Sequence, residues 1–320
     1  MARLPGDPRD DGRHGSKRRT PPDGRSASRR RSSQRSRRSG TERFTSVANP
    51  DLMTERQREL GDAGEVQAGL LPQRIPRIPG YDIFAYYRSA KEMGGDYYDF
   101  IPIDHERLAI AVADVSGKGA PGAMIMACTR TLLRMLGPQC RSAAEMLRQT
   151  NVQVARDIKR GMFVTALVAI LNVRTRELRV VSAGHNPMVL CRHGSGKALL
   201  VNPNGIALGF DKGPVFDRVL TEGKLTLEPG DRFVMYTDGV VEAMNDKNEE
   251  YTEERFYKFV HQNTTMPSKE FTWALVADLD AHKGDAEQHD DITIVTVRVS
   301  TDPQDVVPQV LGPGDSHVPG

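Results

Sequence analysis

Four apolar, strand-like stretches of this chain run directly into carboxylates, and the four lie far apart in the sequence. Residues 94–99 read Gly-Gly-Asp-Tyr-Tyr-Asp, residues 113–119 Ala-Asp-Val-Ser-Gly-Lys-Gly, residues 236–239 Tyr-Thr-Asp-Gly and residues 290–293 Asp-Asp-Ile-Thr. A carboxylate that ends a buried strand costs folding free energy unless a cation or hydrogen bonds satisfy it. A fold that buries these strands therefore has to bring Asp96, Asp114, Asp238 and Asp290 to cations or donors. The simplest arrangement that does so is one divalent-metal site assembled from distant pieces of chain.

The order of elements narrows the architecture. Strands are predicted over 81–90 and 96–103, and over 108–112, where an unbroken apolar run implies burial on both faces. Helices follow over 120–136 and 143–159; the second opens on Ser142-Ala143-Ala144-Glu145, a capping-box pattern. Further strands are expected over 163–172, 177–183, 188–191 and 216–227. Glu228-Pro229-Gly230-Asp231 has the Pro and Gly of a type II turn and feeds a strand over 232–237. Helices over 253–262 and 267–282 and a strand over 292–299 complete the body. Without regular βαβ alternation the sheets are expected to be mostly antiparallel. The predicted class is α+β, with two sheets face to face and helices outside.

Residues 1–49 carry 14 Lys/Arg against 5 Asp/Glu, a net of +9, while the remainder has a net of −7. With almost no aliphatic residues, 1–49 is expected to be a disordered basic tail. No aromatic residue interrupts its Arg/Ser run before Phe44, so a solvated extension is favoured over a nucleic-acid contact. Residues 50–72 are expected to be a linker helix, whose sparse apolar stripe over 51–71 is either a homodimer seam or a face docked on the body. Residues 73–300 form the expected main domain and 301–320 a second disordered tail. No apolar run is long enough to span a bilayer, and a cytoplasmic protein is the expectation. Cys128, Cys140 and Cys191 are odd in number and none is in a CxxC pair, which argues against a disulfide framework or a zinc site.

Each acidic island has a plainer reading. Asp238-Gly239 between apolar residues is a hairpin signal, Gly-Gly-Asp is common in turns, and Asp290-Asp291 could cap a strand in solvent. Their joint occurrence outweighs these. Mg²⁺ and Mn²⁺ prefer hard oxygen ligands, which a set of carboxylates supplies. Gly94-Gly95 lets the backbone turn tightly beside Asp96, and the Val115 carbonyl is a further candidate ligand.

The series as a whole resembles the metal-dependent PPM (type 2C) protein phosphatases, in particular the bacterial sporulation-protein-E-like and sigma-factor-regulating branch. The motifs that carry the resemblance are residues 87–99, 113–122 (ADVSGKGAPG), 163–166 (FVTA), 182–187 (SAGHNP), 205–209 (GIALG), 236–242 (YTDGVVE) and 290–293 (DDIT). It covers about residues 65–300. It implies an α-β-β-α sandwich and two Mn²⁺ or Mg²⁺ ions, with Asp96 bridging them, Asp114 and the Val115 carbonyl on one ion, and Asp238 and Asp290 on the other. Asp291 and Asp99 are further candidates; Asp99, on a strand, should point to the face opposite Asp96. The implied reaction is in-line attack of a metal-bridging hydroxide on phosphoserine or phosphothreonine.

Eukaryotic members of the family carry a His after the second motif as proton donor; here 116–118 is Ser-Gly-Lys. Arg88 and Lys91 are candidate phosphate contacts. His185 is expected to organise its loop. The implied substrate is a phosphorylated anti-anti-sigma (STAS) protein in a partner-switching pathway. The alternative is a catalytically weak regulatory module of the same fold that binds a STAS or kinase partner. A nucleotide cyclase reading of Gly-Gly-Asp would leave the other islands unexplained.

Overall fold

Among the described residues, ten strands are divided equally between two sheets, and every strand pairing is antiparallel. The computed structural model describes residues 50–195 and 197–302; these fall in one of the chain's two compact units, 48–320, and only that unit is described. The expected tail over 1–49 lies outside the described residues, as does the expected tail over 301–320 but for its first two residues.

One sheet runs, in spatial order, β1 (Tyr81–Arg88), β10 (Ile292–Val299), β9 (Arg232–Tyr236), β6 (Met188–Cys191) and β7 (Ala198–Val201). The other runs β2 (Tyr97–Pro102), β3 (Arg107–Val115), β4 (Val164–Asn172), β5 (Glu177–Ala183) and β8 (Gly223–Thr226). Side-chain alternation along β9 shows how they stack. Phe233 and Met235 join a core that contains the second sheet, while Val234 and Tyr236 join a second core with Phe256, Phe271 and Leu275. The last three lie on α5 (Glu253–Gln262) and α6 (Ser268–Lys283), so these helices cover the outer face of the first sheet. The outer face of the second is covered by α2 (Ala120–Leu136) and α3 (Ala143–Asp157). The result is the expected α-β-β-α sandwich. The 108–112 segment is buried throughout, as its unbroken apolar run requires.

Local signals act as read. Ser142 Oγ accepts from the Glu145 N–H at 3.1 Å, and Glu145 Oε2 accepts from the Arg141 N–H at 2.7 Å. Gly230 has φ 86° and the Asp231 N–H donates to the Glu228 carbonyl. One predicted strand is corrected. Of residues 216–227, only Gly223–Thr226 is extended, because Pro214–Val219 forms a short helix, α4. Pro214 opens α4 where no intrahelical N–H is needed, and Asp211 Oδ1 accepts from the N–H groups of Gly213, Val215 and Phe216. Strand β7 has no counterpart in the expectation. The first helix, α1 (Pro50–Ala68), ends a few residues short of Pro72. Among the described residues no helix is long and apolar enough to cross a membrane.

Candidate metal centre

All four acidic islands arrive at one end of the sandwich. Asp96 immediately precedes β2, and Asp114 and Val115 end β3 of the same sheet. Asp238 follows β9 and opens a 3-10 turn, and Asp290 and Asp291 immediately precede β10 of the other sheet. The register explains the meeting: in each sheet the two strands are antiparallel neighbours, so the end of one adjoins the start of the next.

Asp96 points between the sheets. Its Oδ2 accepts from the hydroxyls of Thr237 and Thr293, both at 2.6 Å, so two residues of the first sheet hold a carboxylate of the second. The sequence reading passed over both threonines, although each stands beside an acidic motif. Asp291 grips the loop before Asp96: Oδ2 accepts from the Gly95 N–H at 2.7 Å and Oδ1 from the Ala90 N–H at 2.8 Å. Glycine is required at 94 and 95 by close approach. A Cβ on Gly94 would lie 2.3 Å from Asp291 Oδ2, and one on Gly95 2.8 Å from the Val115 carbonyl oxygen. The second distance also shows that the Val115 carbonyl faces the Asp96 turn.

The electrostatics record the crowding. Burial and then the Asp114 charge push the Asp96 carboxyl well above the usual range. Burial, with Asp238 and Asp290 next, raises Asp114 to about 7. Burial and then Asp290 raise Asp238. Lys118 opposes the charges that act on Asp114 and Asp238: its Nζ lies 2.7 Å from Asp290 Oδ2 and donates to the His289 carbonyl at 2.6 Å. Among the described residues no three His, Cys, Asp or Glu side chains are drawn into a closed ligand cluster. The charges of Asp238 and Asp290 bear on Asp114, and that of Asp114 on Asp96, so the four carboxylates share one neighbourhood. An all-oxygen, mutually repelling donor set with one carbonyl suits a hard divalent cation, so the residues fit the expected ions.

The remaining candidates fall elsewhere. Asp99 is wholly buried and faces α2, where Arg134 donates to both of its oxygens at 2.6 and 2.7 Å and the Tyr97 hydroxyl donates to Oδ2. It points away from Asp96, as strand alternation requires. Arg88 pairs with Asp280 of α6 at 2.8 Å and lines a narrow cleft with Glu242 and Asp290. Lys91 is exposed. His185 is buried, its Nδ1 facing the Thr165 hydroxyl at 2.8 Å and its Nε2 the Tyr236 carbonyl at 3.0 Å. A carbonyl only accepts, so Nε2 carries the proton and the ring ties the two sheets together just behind Asp238. A residue that the sequence reading missed is Gln67 of α1. Its side-chain amide donates to the Gly94 carbonyl at 2.6 Å and accepts from the Gly94 N–H at 3.1 Å. The linker helix thereby grips the metal-side loop.

Burial lowers the His185 pKa from 6.5 to about 4. Between those values the unfolded chain binds the proton and the folded one does not, so stability falls as pH drops from 6.5 toward 4, by about 3 kcal/mol in all. Urea unfolding of wild type and His185→Asn across this range is expected to show the difference between them shrinking as pH falls.

Residues 104–300 match the family model of stage II sporulation protein E (SpoIIE). The phosphoserine phosphatase RsbU of Bacillus subtilis (strain 168) is 28% identical over 247 residues, covering 77% of this chain and 72% of RsbU. The SiaA PP2C domain of Pseudomonas aeruginosa superposes with a TM-score of 0.69 at 23% identity, over 78% of this chain and 99% of that one. The RsbU and RsbW domains of Rv1364c from Mycobacterium tuberculosis give a TM-score of 0.62 at 25% identity, over 72% of this chain and 63% of that one. Fold and family together define a PP2C-type protein serine/threonine phosphatase, a metal-dependent class. The chain belongs to the SpoIIE family, and its likeness to RsbU places it in the RsbU branch.

Proposed function

We propose that this chain dephosphorylates phosphoserine or phosphothreonine on a regulatory protein at a centre of two Mn²⁺ or Mg²⁺ ions held by Asp96, Asp114, the Val115 carbonyl, Asp238 and Asp290. The observation that carries the reading is the meeting of these carboxylates from both sheets at one end of the sandwich, in mutual repulsion that Lys118 only partly offsets. Bound ions of this kind lower the pKa of water and neutralise phosphoryl charge.

The chain's own residues set the geometry. Thr237 and Thr293 fix Asp96 through one oxygen. The other Asp96 oxygen would be the one to hold an ion. Asp291 is also a metal candidate. Both of its oxygens accept main-chain hydrogen bonds, so its first role is to hold the 90–96 loop, and lone pairs remain for a cation. His185, neutral and locked between Thr165 and Tyr236, positions the end of β9 and takes no part in proton transfer. Arg88 and Lys91 remain candidate phosphate contacts at the rim; Arg88 would have to leave Asp280 to serve.

The proposed substrate is a phosphorylated STAS protein in a partner-switching pathway, with a kinase as its counterpart, a reading that relatedness to RsbU and to the joined RsbU and RsbW domains supports. The 51–71 segment is the proposed dimer seam. The test is direct. With Mn²⁺, the purified chain is expected to hydrolyse p-nitrophenyl phosphate and a phosphoserine STAS protein, and EDTA to stop both. Partner binding without turnover under any metal would favour the catalytically weak regulatory module instead.

A further inference from the structure

The cation that fills the acidic end of the sandwich belongs to the protein. Lys118 lies between two glycines with positive φ, Gly117 at 107° and Gly119 at 75°, just ahead of α2. Its ammonium meets Asp290 Oδ2 at 2.7 Å and the His289 carbonyl at 2.6 Å, and the side chain remains half exposed. These oxygens belong to the segment that leads into β10, which also carries Asp291. An ammonium 2.7 Å from Asp290 Oδ2 and a divalent ion on the same carboxylate would be like charges a few ångström apart, and their repulsion disfavours holding both. The half-exposed lysine has solvent to move into, and the flanking glycines can turn its backbone without a Cβ penalty.

We propose that Lys118 is a built-in placeholder for the metal at Asp290: it neutralises the site when metal-free and must be displaced as the ion enters, which sets the metal concentration the enzyme requires. The inference rests on the metal reading of the acidic end given above. It follows that the ion pair stabilises the metal-free fold and opposes metal binding by the same interaction. An ion pair this exposed is of modest strength, and the expected effect is correspondingly modest.

The test is calorimetric titration of Mn²⁺ into the metal-free full chain, with thermal melting of the same samples. Lys118→Met is expected to bind Mn²⁺ about fivefold more tightly than wild type, to melt lower without metal and to show a larger metal-induced rise in Tm. Lys118→Arg, which keeps the pair, should stay near wild type; Lys118→Gln serves in place of Lys118→Met if that variant folds poorly. In an Asp290→Asn background the gain from removing Lys118 should largely vanish. Unchanged or weaker binding by Lys118→Met, or the same gain in the Asp290→Asn background, would overturn the placeholder role. The control is Asp114→Asn. If it binds Mn²⁺ as wild type does, the metal reading fails and the inference with it. Asp114-dependent binding that Lys118→Met leaves unaltered overturns the inference alone.

Discussion

Asp114→Asn is expected to lower phosphatase turnover by on the order of 10³-fold, the scale seen when a preorganised electrostatic element of an active site is removed, while the metal-free protein becomes more stable. Both effects come from one cause. Burial and the neighbouring Asp238 and Asp290 raise the Asp114 carboxyl from 3.8 to about 7. A carboxyl whose folded pKa is raised gives its full stability below the unfolded pKa and loses it as pH climbs through the folded value. In the metal-free protein this loss therefore develops between pH about 4 and 7 and amounts to on the order of 4 kcal/mol above it. The asparagine does not ionise, so thermal melting of metal-free samples at pH 8 should place Asp114→Asn above wild type. A variant that is inactive because it unfolds would show the opposite order. A carboxylate that destabilises the empty fold yet is needed for turnover is what a cation site predicts.

Arg134→Ala is the second large effect, and it is one of stability. Asp99 has no exposed surface, and Arg134 supplies two of its hydrogen bonds while the Tyr97 hydroxyl and the Phe100 N–H supply others. Removing the guanidinium leaves a buried carboxylate without its counter-charge, a change that costs about 3–5 kcal/mol in comparable buried pairs. Arg134 is itself 43% exposed, so water entering the gap should hold the loss near the lower bound. Urea unfolding measures it. Asp99→Asn should also destabilise while leaving the Mn²⁺ requirement of the folded fraction close to wild type. That result would separate Asp99 from Asp96, which is three residues earlier and on the opposite side of its strand. A raised Mn²⁺ requirement in Asp99→Asn would return Asp99 to the metal site.

What the sequence made legible were features whose signals are local. The apolar run at 108–112, the cap at Ser142 and the turn at Pro229-Gly230 each follow from neighbouring residues. So do the carboxylates at strand ends, because a charge at the end of a buried strand carries its own demand for a partner. The failures have a common physical form. Gln67 meets Gly94, Lys118 meets Asp290, and Thr237 meets Asp96 across long stretches of chain, and nothing in the local pattern marks which residue meets which. The 214–219 segment was misread for another reason. Pro214 and the backbone hydrogen bonds to Asp211 favour a short helix here, over the first residues of the expected 216–227 strand.

Crystals soaked in Mn²⁺ and measured at the manganese absorption edge test the central claim most directly. Anomalous density for two ions is expected at the end of the sandwich where β2, β3, β9 and β10 meet, within ligand distance of Asp96, Asp114, Asp238 and Asp290. Manganese bound elsewhere, or an empty site at a concentration that supports full turnover, would contradict it.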